Sequence, residues 1–184
     1  MDLPSGGDQR AGPRRPGRRS ATGGPRYVGV IGSRRCSTAI AETAREVGRL
    51  IAEAGWVLVC GGMGGVMEEA CKGARHGGGV TVGILPGDRR EQGNPYLSVA
   101  VVTGLGEARN ALVVKSSEVL VAISGGYGTL SEIALAGAAG IPVVGVFSWV
   151  LDARQNEGRS LFAHQAHSPE EAVSAVRAIL ERRR

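Results

Sequence analysis

The segment of this 184-residue chain whose residue types and spacing point most directly to chemistry is Gly125-Gly126-Tyr127-Gly128-Thr129-Leu130-Ser131-Glu132. Its glycines let backbone N–H groups approach an anion without interference from Cβ atoms. A helix opening near Thr129 would bring its positive N-terminal end, and the Thr129 hydroxyl, against a phosphate. Glu132 follows three residues later and faces the same mouth. A carboxylate there would repel phosphate and so belongs beside another part of the ligand; the plain alternative is a carboxylate that serves only the helix end. Arg109 stands fifteen residues before Ser124, in Gly104-Leu105-Gly106-Glu107-Ala108-Arg109-Asn110. From there a guanidinium can clamp a phosphate or a sugar hydroxyl at two points, with a solvated arginine as the alternative.

Two more glycine or serine loops share this grammar, Gly32-Ser33 and Gly61-Gly62-Met63-Gly64-Gly65. Each follows an expected strand and precedes an expected helix. Glycine in one such loop is as readily a tight turn as a phosphate cradle, but three on one rim favour the cradle. The ligand implied carries phosphate, held by Gly32, Ser33, Gly61, Gly62, Gly64, Gly65, Gly125, Gly126, Gly128 and Thr129. No G-K-[ST] occurs and the first turn lacks G-x-G-x-x-G, which disfavours ATP hydrolysis and ordinary NAD binding.

Positioning these loops requires strands and helices in alternation. Runs at residues 27–31, 56–60, 80–85, 98–102, 118–123 and 142–147 read as six strands. Between and after them, helical patterns run from Ser37 or Thr38 to Gly55, from Val66 to Arg75, from Glu107 to Ser116, and from Thr129 to Gly140. A fifth opens at Ser168-Pro169-Glu170-Glu171. Strands alternating with helices make a single α/β domain, a doubly wound parallel sheet with helices on both faces. In such a sheet the ligand lies at the carboxyl ends of the strands, near the switch in strand order.

Composition narrows the partners. The net charge of +5 resides in the ends: residues 1–26 carry six arginines against Asp2 and Asp8, Arg182 to Arg184 add three charges, and residues 27–181 sum to −2. The Arg/Pro/Gly-rich residues 1–25 read as a disordered tail, and with no aromatic interleaved they are a poor nucleic-acid surface. With 30 glycines and seven aromatics, backbone-lined sites are favoured over stacking platforms. No apolar run approaches a membrane span, so a cytoplasmic protein is expected. Cys36, Cys60 and Cys71 lack C-x-x-C spacing and read as reduced, mostly buried thiols. His76, His164 and His167 form no metal constellation; the latter two are expected in a polar loop.

G-G-x-G-T-x-x-E with Arg109 upstream, G-G-M-G-G-V-M-E after the second strand and G-I-L-P-G after the third together resemble the LOG family. Its members were long labelled lysine decarboxylases and include cytokinin-activating nucleoside 5′-monophosphate phosphoribohydrolases. The likeness runs in order from residue 27 to about residue 150. It implies a modified Rossmann-like domain over 26–184, with Arg109 and Glu132 catalytic in hydrolysis of an N-glycosidic bond, giving base and ribose 5-phosphate. It also implies no cofactor and no metal, and a homodimer or larger assembly. The small-residue face Ala134, Leu135, Ala138 and Ala139 suits close packing, in the core or between copies. Gly93-Asn-Pro-Tyr-Leu-Ser-Val-Ala-Val101 looks closer to a bacterial branch related to molybdenum-cofactor carrier proteins. That likeness implies a second reading, a carrier that holds a pterin phosphate such as molybdenum cofactor without turnover; a third reading is a nucleotide sensor that reports ligand to a partner. The chain departs from the LOG pattern at Ser124, where proline is usual, at Ser131, where the first of two acids is usual, and at Asn110, where lysine is usual. The decarboxylase label finds no support, because Lys72 and Lys115 both fall inside expected helices, away from the strand-end loops where a pyridoxal phosphate Schiff base would form.

Overall fold

The computed structural model describes residues 24–151 and 160–183. Apart from Gly24 and Pro25, the expected tail of residues 1–25 lies outside the described residues. Among the described residues there are seven strands, the first six from short β-branched runs: β1 (Tyr27–Gly32), β2 (Val57–Cys60), β3 (Thr81–Leu85), β4 (Val99–Val102), β5 (Val119–Ile123), β6 (Val143–Val146) and β7 (His164–Ala166). Among the described residues five α-helices connect or cover them: α1 (Thr38–Glu53), α2 (Val66–His76), α3 (Asn110–Lys115), α4 (Tyr127–Ala139) and α5 (Pro169–Arg182). All strand pairs are parallel, in the order β4-β3-β2-β1-β5-β6-β7.

Two apolar layers follow from the period of two along each strand. One layer joins Val28, Val30, Leu58, Val119, Val121, Val144 and Val146 to Val47 and Ile51 of α1, Ala70 and Ala74 of α2, and Val176 of α5. The other joins Ile31, Val59, Leu120, Ala122 and Val143 to Val113 of α3 and Ile133 and Ala136 of α4. Helices therefore cover both faces. Within the first layer α1 and α2 cross at glycine. A Cβ built at Gly48 would lie 2.0 Å from the Ala70 carbonyl oxygen, and one at Gly73 would lie 1.8 Å from that of Arg45.

The expected caps are present at both outer helices. Ser37 Oγ accepts the Ile40 N–H, and Gly55, at φ +76°, follows the end of α1. Ser168 Oγ accepts the Glu171 N–H, while the Glu171 carboxylate accepts the His167 N–H.

Two expectations need correction. The sheet has seven strands rather than six, because His164-Gln165-Ala166 pairs with β6 instead of lying in a polar loop. Three residues without β-branching carry no local strand signal; main-chain hydrogen bonds to a neighbour already in place make this strand. The helix expected at residues 107–116 opens instead as a 3-10 turn, Gly106–Arg109, and becomes α-helical only at Asn110. Positive φ at Gly104 and Gly106 sharpens that approach.

The strand order sets the position of any site. From β1 the chain adds β2, β3 and β4 on one side, then crosses to place β5 on the other. At this switch the loops leaving β1 and β5 diverge and open a crevice. Gly32 pairs in register with Ile123, so the two loops start side by side.

Candidate functional site

The crevice holds an open cavity of about 500 Å³. The β1–α1 loop lines it with Gly32, Ser33 and Arg34, the 3-10 turn with Glu107 and Arg109, and the start of α4 with Gly126, Tyr127, Gly128 and Thr129. Asn110, Ser131, Glu132 and Met67 complete the wall. Arg109, Glu132, Gly32, Ser33, Gly126, Gly128 and Thr129, which sequence reasoning singled out, are thus brought together. Gly61, Gly62, Gly64, Gly65 and Gly125 stand behind the lining, where their lack of a side chain has other uses.

Gly61 seats Arg109: a Cβ there would lie 2.5 Å from Arg109 Nη1 and 2.7 Å from Cζ. Gly65, at φ +67°, makes room for the β1–α1 loop, since its Cβ would lie 2.4 Å from the Ser33 carbonyl oxygen. Gly62 turns against Leu85, and Gly64 lies beside the Arg34 carbonyl. At Gly125 a Cβ would lie 2.7 Å from Thr129 Cβ, so the Thr129 side chain packs down on the loop. Thr129 is buried, and the first turn of α4, whose N–H groups lack partners within the helix, lines the cavity. Ser33 Oγ reaches the same turn, 3.7 Å from the Cβ position of Gly126. Ser33 Oγ and the α4 N-terminus therefore share one spot that suits an anion.

Ser124 has φ +51°. Proline, fixed near −65°, cannot adopt that conformation, so serine in place of the usual proline gives this loop its own path. The turn is tied down at both ends. Ser124 N–H donates to the Val146 carbonyl, and Ser148 Oγ donates to the Ser124 carbonyl.

Arg109 and Glu132 form the charged floor. Arg109 is 3% exposed and Glu132 6%, with Nη1 and Oε1 3.6 Å apart. Arg109 Nε and Nη1 have no hydrogen-bond partner among the described residues. A buried guanidinium with unused donors is suited to an acceptor on a ligand. Burial pushes the Glu132 carboxyl up to about 7; Arg109 pulls it back in part, and Glu107 adds to the rise. Burial also lowers the Arg109 value, against the opposing pull of Glu132 and Glu107.

The folded pKa of Glu132 lies above its ordinary 4.5, so the stabilisation tied to its proton is complete below about pH 4.5 and is lost as pH rises through 7. Glu132→Gln cannot titrate. The stability of this variant relative to the parent should therefore rise between pH 4.5 and 8, by on the order of 3 kcal/mol at full ionisation. Paired thermal melts across that range check this; a constant difference would show that the carboxyl titrates normally.

Sequence reasoning passed over Arg34, Glu107, Tyr127 and Met67 as lining residues. Arg34 and Glu107 directly adjoin Ser33 and the Arg109 turn, and that adjacency was the available signal. Tyr127 is 86% exposed, its ring 6.3 Å from that of Trp149, so an aromatic does stand at the rim despite their scarcity. Asn110 Nδ2 donates to Ser131 Oγ at 3.3 Å, which makes two of the three departures from the LOG pattern one neutral pair in the wall. Glu69 is bound to Arg45 and does not line the cavity. Lys72 lies over the Tyr96 ring, and neither it nor Lys115 reaches the site.

Cys60 and Cys71 are buried with sulfurs 3.5 Å apart, and Cys36 is half-buried. Among the described residues no group of three His, Cys, Asp or Glu could hold a metal ion, and no helix is long and apolar enough to cross a membrane. Ala134, Leu135, Ala138 and Ala139 of α4 are exposed rather than in the core.

A family model described as LDcluster4, the SLOG cluster4 family, matches residues 25–173. The molybdenum cofactor binding protein of Rippkaea orientalis superposes with a TM-score of 0.78 at 36% identity, over 85% of this chain and 98% of that one. The molybdenum cofactor carrier protein of Chlamydomonas reinhardtii gives 0.75 at 36% identity, over 85% and 99%. A cytokinin riboside 5′-monophosphate phosphoribohydrolase of Mycobacterium tuberculosis is 38% identical over 96 residues, which are 50% of this chain and 51% of that protein. The chain thus spans about half the length of that hydrolase.

Proposed function

We propose, since the chain belongs to the SLOG cluster4 family, that its cavity binds a small heterocyclic molecule through a phosphate and hydrolyses the N-glycosidic bond of a nucleoside 5′-monophosphate. The observation that carries this reading is the buried Arg109–Glu132 pair, with unused guanidinium donors, in the same cavity as the α4 N-terminus. The phosphate sits on Ser33 and the first turn of α4. Glu132, poised near neutrality, takes the proton of an attacking water as its oxygen bonds to C1′. The bond from C1′ to the base nitrogen breaks, the departing base takes up a proton, and ribose 5-phosphate is left. Arg109 holds the substrate and meets the charge that develops as the bond opens.

A second reading is favoured by the nearly complete overlap with the two molybdenum cofactor proteins and by the neutral Asn110–Ser131 pair. In it the same pocket holds a pterin phosphate without turnover. No cofactor takes part in the first reading; in the second, molybdenum cofactor is cargo. Assembly as a homodimer is part of both, supported by the exposed apolar face of α4.

The test is incubation of the protein and of its Glu132→Ala variant with a panel of nucleoside monophosphates, following free base by chromatography. Release that falls by about 100-fold or more in the variant supports hydrolysis. If no base is released, and a nucleotide or pterin phosphate raises the melting temperature, the holding function stands in its place.

A further inference from the structure

Arg34 and Glu107 face each other across the cavity mouth, Nη2 to Oε1 at 2.9 Å, with side chains 51% and 70% exposed. They come from two different loops, the turn after β1 and the 3-10 turn that carries Arg109. Both line the same cavity as Arg109 and Glu132, so its wall holds two positive and two negative side chains. The Glu107 carboxylate lines the cavity along with Ser33 and the start of α4. That carboxylate already acts on the floor, raising the values of both Arg109 and Glu132.

The backbone beneath Arg34 is fixed. The Ser33 carbonyl accepts the Val66 N–H at 3.0 Å, and Gly65 packs within 2.4 Å of the Arg34 carbonyl carbon, measured from its Cβ position. Ser33 Oγ, one residue earlier, stands at the α4 N-terminus. The Arg34 side chain is thus anchored one residue from the anion spot, and its partner is an exposed carboxylate. Exposed ion pairs contribute little and exchange readily. A phosphate dianion offers a guanidinium two-point, charge-assisted hydrogen bonding and is the stronger partner.

We propose that Arg34 is a second arginine for the ligand's phosphate, and that Glu107 and the phosphate are alternative partners of its guanidinium. This rests on the phosphate-anchored reading given above. Glu107 thereby sets a threshold: a ligand without phosphate cannot displace it, while a phosphate monoester can. The site discriminates phosphorylated from unphosphorylated ligands through Arg34, independently of what Arg109 and Glu132 do to the remainder of the molecule.

The experiment is equilibrium binding of inorganic phosphate and of ribose 5-phosphate to the full chain at pH 7.5, by calorimetry. The parent is compared with Arg34→Ala, Glu107→Gln and the double variant, with melting temperatures confirming that each is folded. Arg34→Ala should weaken both probes about tenfold or more. Glu107→Gln should tighten them, and the double variant should bind like Arg34→Ala alone, because Glu107 acts by competing for Arg34. Equal binding by the parent and Arg34→Ala would overturn the proposal while leaving the phosphate site intact. Tightening by Glu107→Gln that persists without Arg34 would also overturn it, since Glu107 would then act by direct repulsion. If the folded parent binds neither probe, phosphate anchoring itself fails and the role of Arg34 falls with it.

Discussion

Replacing Gly73 by alanine should lower the melting temperature by about 5–15 °C, on the basis of a cost of roughly 2–4 kcal/mol for a domain of this size. The new Cβ would lie 1.8 Å from the Arg45 carbonyl oxygen and 2.7 Å from its carbon, and both are backbone of the facing helix. No rotamer change can relieve that contact. The α1–α2 crossing must open, and Val47, Ile51, Ala70 and Ala74 lose packing with it. Alanine's better helix propensity offsets only about 1 kcal/mol. Gly48→Ala, whose Cβ would meet the Ala70 carbonyl oxygen at 2.0 Å, should cost a similar amount. The double variant should cost less than the sum, because helices already parted by one methyl accept the second more easily. Circular-dichroism melts of the three variants decide this. A Gly73→Ala protein melting within 2 °C of the parent would mean that the crossing is looser than described.

Gly61→Ala should do the opposite, leaving the fold intact while disabling the site. The atoms nearest its Cβ would be those of the Arg109 guanidinium, at 2.5 to 2.7 Å, and the end of a side chain can move where backbone cannot. Displacing that guanidinium by about an ångström withdraws the donors that Arg109 offers a ligand and lengthens its 3.6 Å approach to Glu132. Misplacement on this scale costs on the order of 100-fold in binding or turnover. There is a second signature. Arg109 holds the Glu132 carboxyl down from the value burial alone would set, so its withdrawal should move the pH profile of the site to higher pH. Ligand affinity measured from pH 5 to 9, with a melt as control, reads both effects. An unchanged pH profile alongside weakened binding would mean that Gly61 contributes its own backbone to the ligand instead of seating Arg109.

These two glycines mark where sequence reading succeeds and where it stops. Strand–loop–helix grammar was legible where β1, β2 and β5 end in glycine or serine loops and lead into helices with apolar residues at spacings of three and four. Arg109 and Glu132 were legible because the motif fixes their spacing to the glycine loop. The work of Gly61 and Gly65 was not, since a glycine that makes room for a side chain and one that cradles an anion look alike in one dimension. Nor was β7, where His164 to Ala166 become a strand only because β6 presents an edge. Arg34 and Glu107 were hidden for a related reason: 73 residues separate them, and only the switch in strand order brings their loops face to face.

That switch has a consequence for how the pocket comes into being. Its wall draws on residues 32–34, Met67 and residues 107–132, and the first and last of these meet across the β1–β5 pairing. Between them the chain must first lay down β2, β3 and β4. A nascent or truncated chain ending at β4 therefore has one half of the pocket and no α4 N-terminus. Parallel pairings so distant in sequence close late and slowly. Occupancy by ligand is consequently a property of the finished sheet, and a tight ligand stabilises all seven strands at once by mass action rather than rigidifying one loop.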